Sequence, residues 1–225
     1  MSGRRIAIQA VEVEACGYAK TKDVFSYDYD VQNAPETIGK KLMARAGMEG
    51  RVKVRSANMK MFDAEVRTLV GIFNDAWSDN WGSVPMTENE LRKMADDLSL
   101  LLVPELTRLV EIDGEPAAFG VALPNVNELI AALGGKLLPL GLPKLVYRLK
   151  VKGTRTVRMA LLGIRKKYRH VRKYAALSAY LYVSMNDSGK KLGLQMGELS
   201  WTLEDNGPVN VGIKLMGGKI YKRYR

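Results

Sequence analysis

Apolar residues recur along this chain with two different periods, and the switches between them mark out its elements. Between Phe62 and Trp77 the apolar positions are Phe62, Val66, Leu69, Val70, Phe73 and Trp77, spaced three or four apart, which predicts a helix with one buried stripe. Thr87 followed by Glu90 three residues on is a capping box. Leu91, Met94, Ala95 and Leu98 supply the apolar face of the helix that it opens. Period-two alternation predicts strands at Val24–Val31, Arg51–Arg55, Thr107–Ile112, Ala117–Leu123, Thr156–Ile164, Glu198–Leu203 and Lys219–Tyr224. Asp113-Gly114-Glu115-Pro116 is a hairpin turn between the third and fourth of these, and the run Met159–Leu162 predicts burial on both faces. In the sixth, Leu199, Trp201 and Leu203 share one side, and Glu198, Ser200, Thr202 and Glu204 the other. Further helices are predicted from Asn127 through Gly134-Gly135 and again before Lys150, over Arg172–Asp187, and over Asn206–Leu215, which Gly217-Gly218 ends. Val11–Ala15 reads as a helix end closed by Gly17. Gln32–Gly50 is small and polar, a linker with room for a short helix. From residue 51 the order β-α-α-β-β-α-β-α-β-α-β points to an α/β sheet.

Composition narrows the class. A chain of 225 residues holds one full domain and an appendage. Hydrophobic content of 47% and charged content of 26% are those of a globular protein with a buried core. Cys16 and His170 stand alone in their types, which leaves neither an internal disulfide nor a Cys/His metal site to build. The N-terminal residues lack the apolar run of a signal peptide. Lys136, Pro139, Pro143, Lys144 and glycines break up Leu129–Leu149 too often for a membrane span. The expectation is a soluble, cytoplasmic protein.

A net charge of +11 is unevenly placed. Twelve basic residues lie between Lys144 and Lys173 with no Asp or Glu among them, a field that attracts polyanions: a phosphate-rich cofactor, nucleic acid or an anionic membrane. Only Tyr147, Tyr168 and Tyr174 interleave with these charges, a poor match to the aromatic platforms that bind single strands. Nucleic acid is therefore the less favoured partner.

Three segments carry a more specific signal: FNDAWSDNWGSVPMTENE (Phe73–Glu90), ELSWTLEDNGPVN (Glu198–Asn210) and LMGGKIYKRYR (Leu215–Arg225). They resemble a bacterial group of acetyltransferase-like proteins of the GNAT type. The resemblance implies an α/β (α+β) GNAT acyl-CoA N-acyltransferase fold over residues 51–225, a mixed central sheet flanked by helices. Proteins of that group are longer, and residues 10–30 resemble the tail of their first half. Residues 1–50 are accordingly expected to be the remnant of a preceding domain, leaving an exposed N-terminal strand edge through which two copies could pair.

The resemblance also implies acetyl-CoA as cofactor and acetyl transfer to an amine acceptor. The amine must lose a proton or arrive neutral, a donor must polarise the thioester carbonyl, and an acid can protonate the leaving thiolate. GNAT proteins hold the diphosphate with Arg/Gln-x-x-Gly-x-Gly/Ala after the central strand. Here LLGIRKKYRHVRKYAAL stands in that place, with Arg172 and Tyr174 where the glycines belong. Two readings follow. Arg169, His170, Arg172, Lys173 and Tyr174 grip the phosphates by charge, with Leu162, Gly163 and Ile164 along the strand, or the cofactor site has decayed and the chain is a basic binding module. Among catalytic candidates, Glu204 and Asp205 sit at the C-terminal end of a strand, where α/β sites gather, and Glu204 is the candidate base. The tyrosine expected in the next helix is absent, which leaves Tyr221 as substitute acid. Asn206 matches a position that contacts the pantetheine arm and is equally an N-cap. Asp75, Trp77, Asn80 and Trp81 are the candidates for the acceptor side.

Overall fold

The computed structural model describes residues 11–225 except 35, 46–49, 132, 134–139, 170, 172, 173 and 175. Residues 11–15 are helical (α1), and Gly17 turns out of them at φ +87°. The elements that follow are β1 (Val24–Asp30), α2 (Glu36–Arg45), β2 (Val52–Ser56), α3 (Phe62–Trp77), α4 (Glu88–Leu98), β3 (Thr107–Ile112) and β4 (Glu115–Pro124). Then come α5 (Val126–Ala131), α6 (Gly141–Tyr147), β5 (Thr156–Ile164), α7 (Lys166–Arg169), α8 (Leu177–Lys191), β6 (Met196–Leu203), α9 (Gly207–Leu215) and β7 (Lys219–Tyr224).

The strands form one seven-stranded sheet in the order β2-β3-β4-β5-β6-β1-β7. Every neighbouring pair is antiparallel except β5 and β6, which run parallel. Alternation sorts the side chains. Leu109, Phe119 and Val121 go to one face, where Val66, Val70, Ile72 and Phe73 of α3 cover them. Val110, Ile112 and Ala118 go to the other, against Leu177, Tyr180 and Leu181 of α8. Tyr27, Val157 and Leu199 continue that second layer under Tyr182, Val183, Ile213 and Met216. The capping box at the start of α4 is complete: Thr87 Oγ1 accepts the Glu90 N–H, and the Glu90 carboxylate accepts the Thr87 N–H.

The structure departs from sequence expectation at several points. β1 is hydrogen-bonded on both sides, to β6 and to β7, so the N-terminal strand offers no open edge; the edges belong to β2 and β7. Residues 24–30 and 52–224 thus share one sheet. The helix expected from Arg172 begins at Leu177 and runs on to Lys191, and Lys166–Arg169 forms a separate short turn. The expected Gly134-Gly135 stretch lies outside the described residues. Met159, Leu161 and Leu162 are only half-buried and Ala160 is exposed, because β5 has β6 beside it over part of its length only.

Candidate functional site

β5 and β6 keep company from Thr156–Met196 to Met159–Leu199 and no further. Just beyond that point each strand takes an extra residue. Against β4, Leu161 pairs with Val121 and Met159 with Ala122, so Ala160 bulges. Against β1, Thr202 pairs with Phe25 and Ser200 with Ser26, so Trp201 bulges, at φ +63°. A bulge bends its strand and adds twist, and two at the same level part the strands into a cleft at their C-terminal ends. Ligands of α/β sheets bind at such ends.

The Trp201 bulge also swaps faces. Trp201 does not pack beside Leu199 as alternation predicts but stands 72% exposed, edge-on to Tyr224 at 6.1 Å. Thr202 moves to the face of Leu199. There its hydroxyl and that of Tyr27 both donate to Asn210 Oδ1, at 2.9 and 2.8 Å, while Asn210 Nδ2 donates to the Leu203 carbonyl at 2.8 Å. That buried amide ties α9 to the diverging end of β6.

The segment after β5 is braced rather than open. Arg169 donates through Nε to the Ile164 carbonyl at 2.8 Å and through Nη2 to the Ala76 carbonyl, joining the end of β5 to the last turn of α3. Asp75 accepts the Lys166 N–H at 2.7 Å, and Lys166 Nζ reaches Asp79 at 2.7 Å. Lys167 pairs with Glu115, and Arg165 donates to the Pro116 carbonyl. Acidic residues absent from the Lys144–Lys173 run are thus supplied by other elements, which weakens the field expected of that run. Tyr174 packs edge-on against Tyr168 at 4.8 Å. His170, Arg172 and Lys173 lie outside the described residues.

The other predicted site residues separate into groups. Trp77 stacks on Phe73 at 4.5 Å and, with Phe119, closes over Gly163. Leu162 and Ile164 pack on the α8 side. Asn80 donates its N–H to the Trp77 carbonyl at the end of α3, and Trp81 is exposed. Both oxygens of Glu204 are engaged, one with Lys20 Nζ at 2.7 Å and one with the Asp23 N–H at 3.1 Å, and Lys20 holds the carboxyl below the ordinary range. Asp205 is likewise held down, by Lys22. These two carboxylates fasten residues 20–23 across the end of β6. Asn206 stands at the N-cap of α9, but its side chain makes no capping bond. Tyr221 lies beside Glu198, which Arg158 contacts at 3.0 Å. Burial pushes the Tyr221 hydroxyl up, Lys222 opposes it and Glu198 adds to it, with a net rise. Burial raises the Glu198 carboxyl, but donation from Tyr221 and Arg158 outweighs it and leaves it low.

Sequence reasoning missed Ala160, Trp201, Asn210 and the Arg158–Glu198–Tyr221 cluster. The last rests on the register that sets Arg158 opposite Glu198 on the parallel pair, and neither that register nor the bulges had a signal in the sequence.

No family model matches the chain. It is 42% identical over 213 residues to a protein named Bacterial ceramide synthase from Caulobacter vibrioides, covering 95% of this chain and 55% of that protein. It is 38% identical over 219 residues to Protein YghO of Escherichia coli, covering 96% and 55%. The chain therefore spans about half the length of the curated relatives it matches. Among solved structures, a GCN5-related N-acetyltransferase from Sphaerobacter thermophilus superposes with a TM-score of 0.62 at 14% identity, covering 96% of this chain and 54% of that one. The mixed sheet, its parted parallel pair and this superposition together give the chain its place: it has the fold of the GNAT N-acetyltransferases.

Proposed function

We propose that this chain carries the acyl-transfer site of an N-acyltransferase that makes an amide from a CoA thioester and an amine. The observation that supports it most is the pair of bulges at Ala160 and Trp201, which leave residues 160–164 of β5 without a strand neighbour on the β6 side. Such an edge suits the amide-bearing pantetheine arm, which pairs with it as an added strand would. The diphosphate fits less well. Arg169 is spent on carbonyl oxygens and Lys167 on Glu115, so the grip falls to His170, Arg172 and Lys173. CoA, when bound, supplies an activated thioester carbonyl. Tyr221, whose proton is held on by burial, is the acid we assign to the leaving thiolate. Glu204 is assigned to fastening the chain, since a carboxyl held low is a weak base.

For the substrates, the likeness to a ceramide synthase guides the proposal. A ceramide is the amide of a fatty acid and a long-chain amino alcohol, so the acyl group proposed here is a fatty one rather than acetyl, and the acceptor a long-chain amine. The test is to incubate the protein with palmitoyl-CoA and sphinganine and follow free thiol release together with the amide by mass spectrometry. Amide formation that scales with enzyme supports the reading. Absence of product from every acyl-CoA tried, with a folded protein, refutes it.

A further inference from the structure

The face of the sheet covered by α3 and α4 is not filled. Between those helices and β4–β5 lies an apolar cavity of about 70 Å³. Its walls are Leu69, Phe73, Met94, Leu98, Leu102 and Leu161, with others of the same kind, and Glu65 is the one charged residue among the described residues that line it. Protein interiors hold few voids larger than a water molecule, and an apolar one of this size is a place that a hydrocarbon group can enter.

Its position says what. One end is formed by Ala160 and Leu161, the first residues of β5 past its last pair with β6. The cavity thus opens at the proposed thioester site, with exposed Ala160 at the mouth. The other end is formed by Ala57, Met59 and Glu65, beyond β2, three strand spacings or about 14 Å away. There Glu65 Oε1 accepts from Arg55 Nη1 at 2.6 Å and from the Asn58 N–H at 3.2 Å, while Oε2 is buried and has no hydrogen-bond partner among the described residues. The Arg55–Glu65 pair, with Glu65 buried, stands in the far wall, and an apolar chain that reaches it meets a charged group instead of further apolar lining. The far wall is therefore a stop.

Resting on the reading of the chain as an N-acyltransferase, we propose that this cavity houses the hydrocarbon tail of the thioester's acyl group and that Glu65 marks its end. Methionines 59 and 94 in the walls suit a flexible chain of varied length. Each methylene that enters is worth roughly a 4-fold gain in binding.

Calorimetry of the whole chain with free CoA, acetyl-CoA, octanoyl-CoA and palmitoyl-CoA tests this, beside transfer assays with the same donors. Affinity is expected to climb with tail length. Ala95→Phe, which puts a ring into the cavity from α4, is expected to weaken palmitoyl-CoA at least roughly 10-fold and to leave free CoA unchanged. Should that variant fail to fold, Leu98→Ala enlarges the space instead and is expected to move the preferred tail to a longer one. Equal affinity for acetyl- and palmitoyl-CoA overturns the proposal, as does an Ala95→Phe protein that loses sphinganine binding and keeps palmitoyl-CoA. Tail-dependent binding without any transfer would sink the reaction and spare the cavity. Transfer at one rate from every tail would do the reverse.

Discussion

Gly163 offers the sharpest test of how β5 is packed. An added Cβ there would stand 2.7 Å from Phe119 Cε1, 2.8 Å from Trp77 Cζ3 and 3.3 Å from Ala76 Cβ. None of these can easily yield. Phe119 is 1% exposed in the centre of the sheet, and Trp77 is stacked on buried Phe73. Gly163→Ala therefore overpacks the core, at a cost of about 1–3 kcal/mol, set against a gain of roughly 0.4–1 kcal/mol from the less flexible unfolded chain. Gly120 on the adjacent strand is the control. Its added Cβ would meet the Met185 sulfur at 2.8 Å, the middle of a side chain that can move. Urea unfolding followed by far-ultraviolet dichroism should show a lower midpoint for Gly163→Ala with an unchanged slope, and a smaller drop for Gly120→Ala. The expected loss in Tm is about 2–4 °C per kcal/mol for a chain of this size. If Gly163→Ala matches the parent protein, or if Gly120→Ala is the more damaged of the two, the packing argument is wrong. Because Gly163 was also expected to border the cofactor, any loss of CoA binding in this variant must be judged against its stability.

Three further outcomes are expected. Arg225 and Lys20 hold the buried Asp23 carboxyl below its ordinary range, against the opposing effect of burial. A depressed group of this kind lends stability that is complete above the unfolded value near ~4 and disappears as pH falls through the folded one. Asp23→Asn should thus flatten the acid limb of stability against pH, and an unaltered limb would count against the assignment. Arg169→Lys cannot reach two carbonyls at once, so it should lower stability by about 1–3 kcal/mol and loosen the turn after β5, seen as faster amide exchange at residues 165–169. Thr87→Ala removes the α4 cap and should cost about 1 kcal/mol in equilibrium unfolding.

The elements were legible where one local rule decided them. The apolar stripe from Phe62 to Trp77, the capping box at Thr87 and the hairpin at Asp113-Gly114 are each written within a few residues, and each is present. The cleft was not legible, because it depends on where two strands part. Nothing in MALLGI or ELSWTLE announces an extra residue at Ala160 or a tryptophan at positive φ, a conformation that costs a bulky side chain about 1–3 kcal/mol and that its surroundings impose. The basic run misled for a related reason. Its partners Asp75, Asp79, Glu115 and Glu198 lie 40–91 positions away along the chain. A count of charges in a window therefore overstated the field.

The place of β1 has a consequence for how the chain comes to fold. Its two neighbours, β6 and β7, are the last strands to be made, so its pairings span more than 160 residues, from Asp30–Met196 to Val24–Tyr224. During synthesis Val24–Asp30 must wait, unpaired, until residues 196–203 have emerged, and its second edge stays open until residue 219 and beyond follow. Contacts of such long separation slow folding, and a waiting apolar strand is open to mispairing. Completion of the sheet, and with it the cleft beside β6, is thus a late event in the life of the nascent protein.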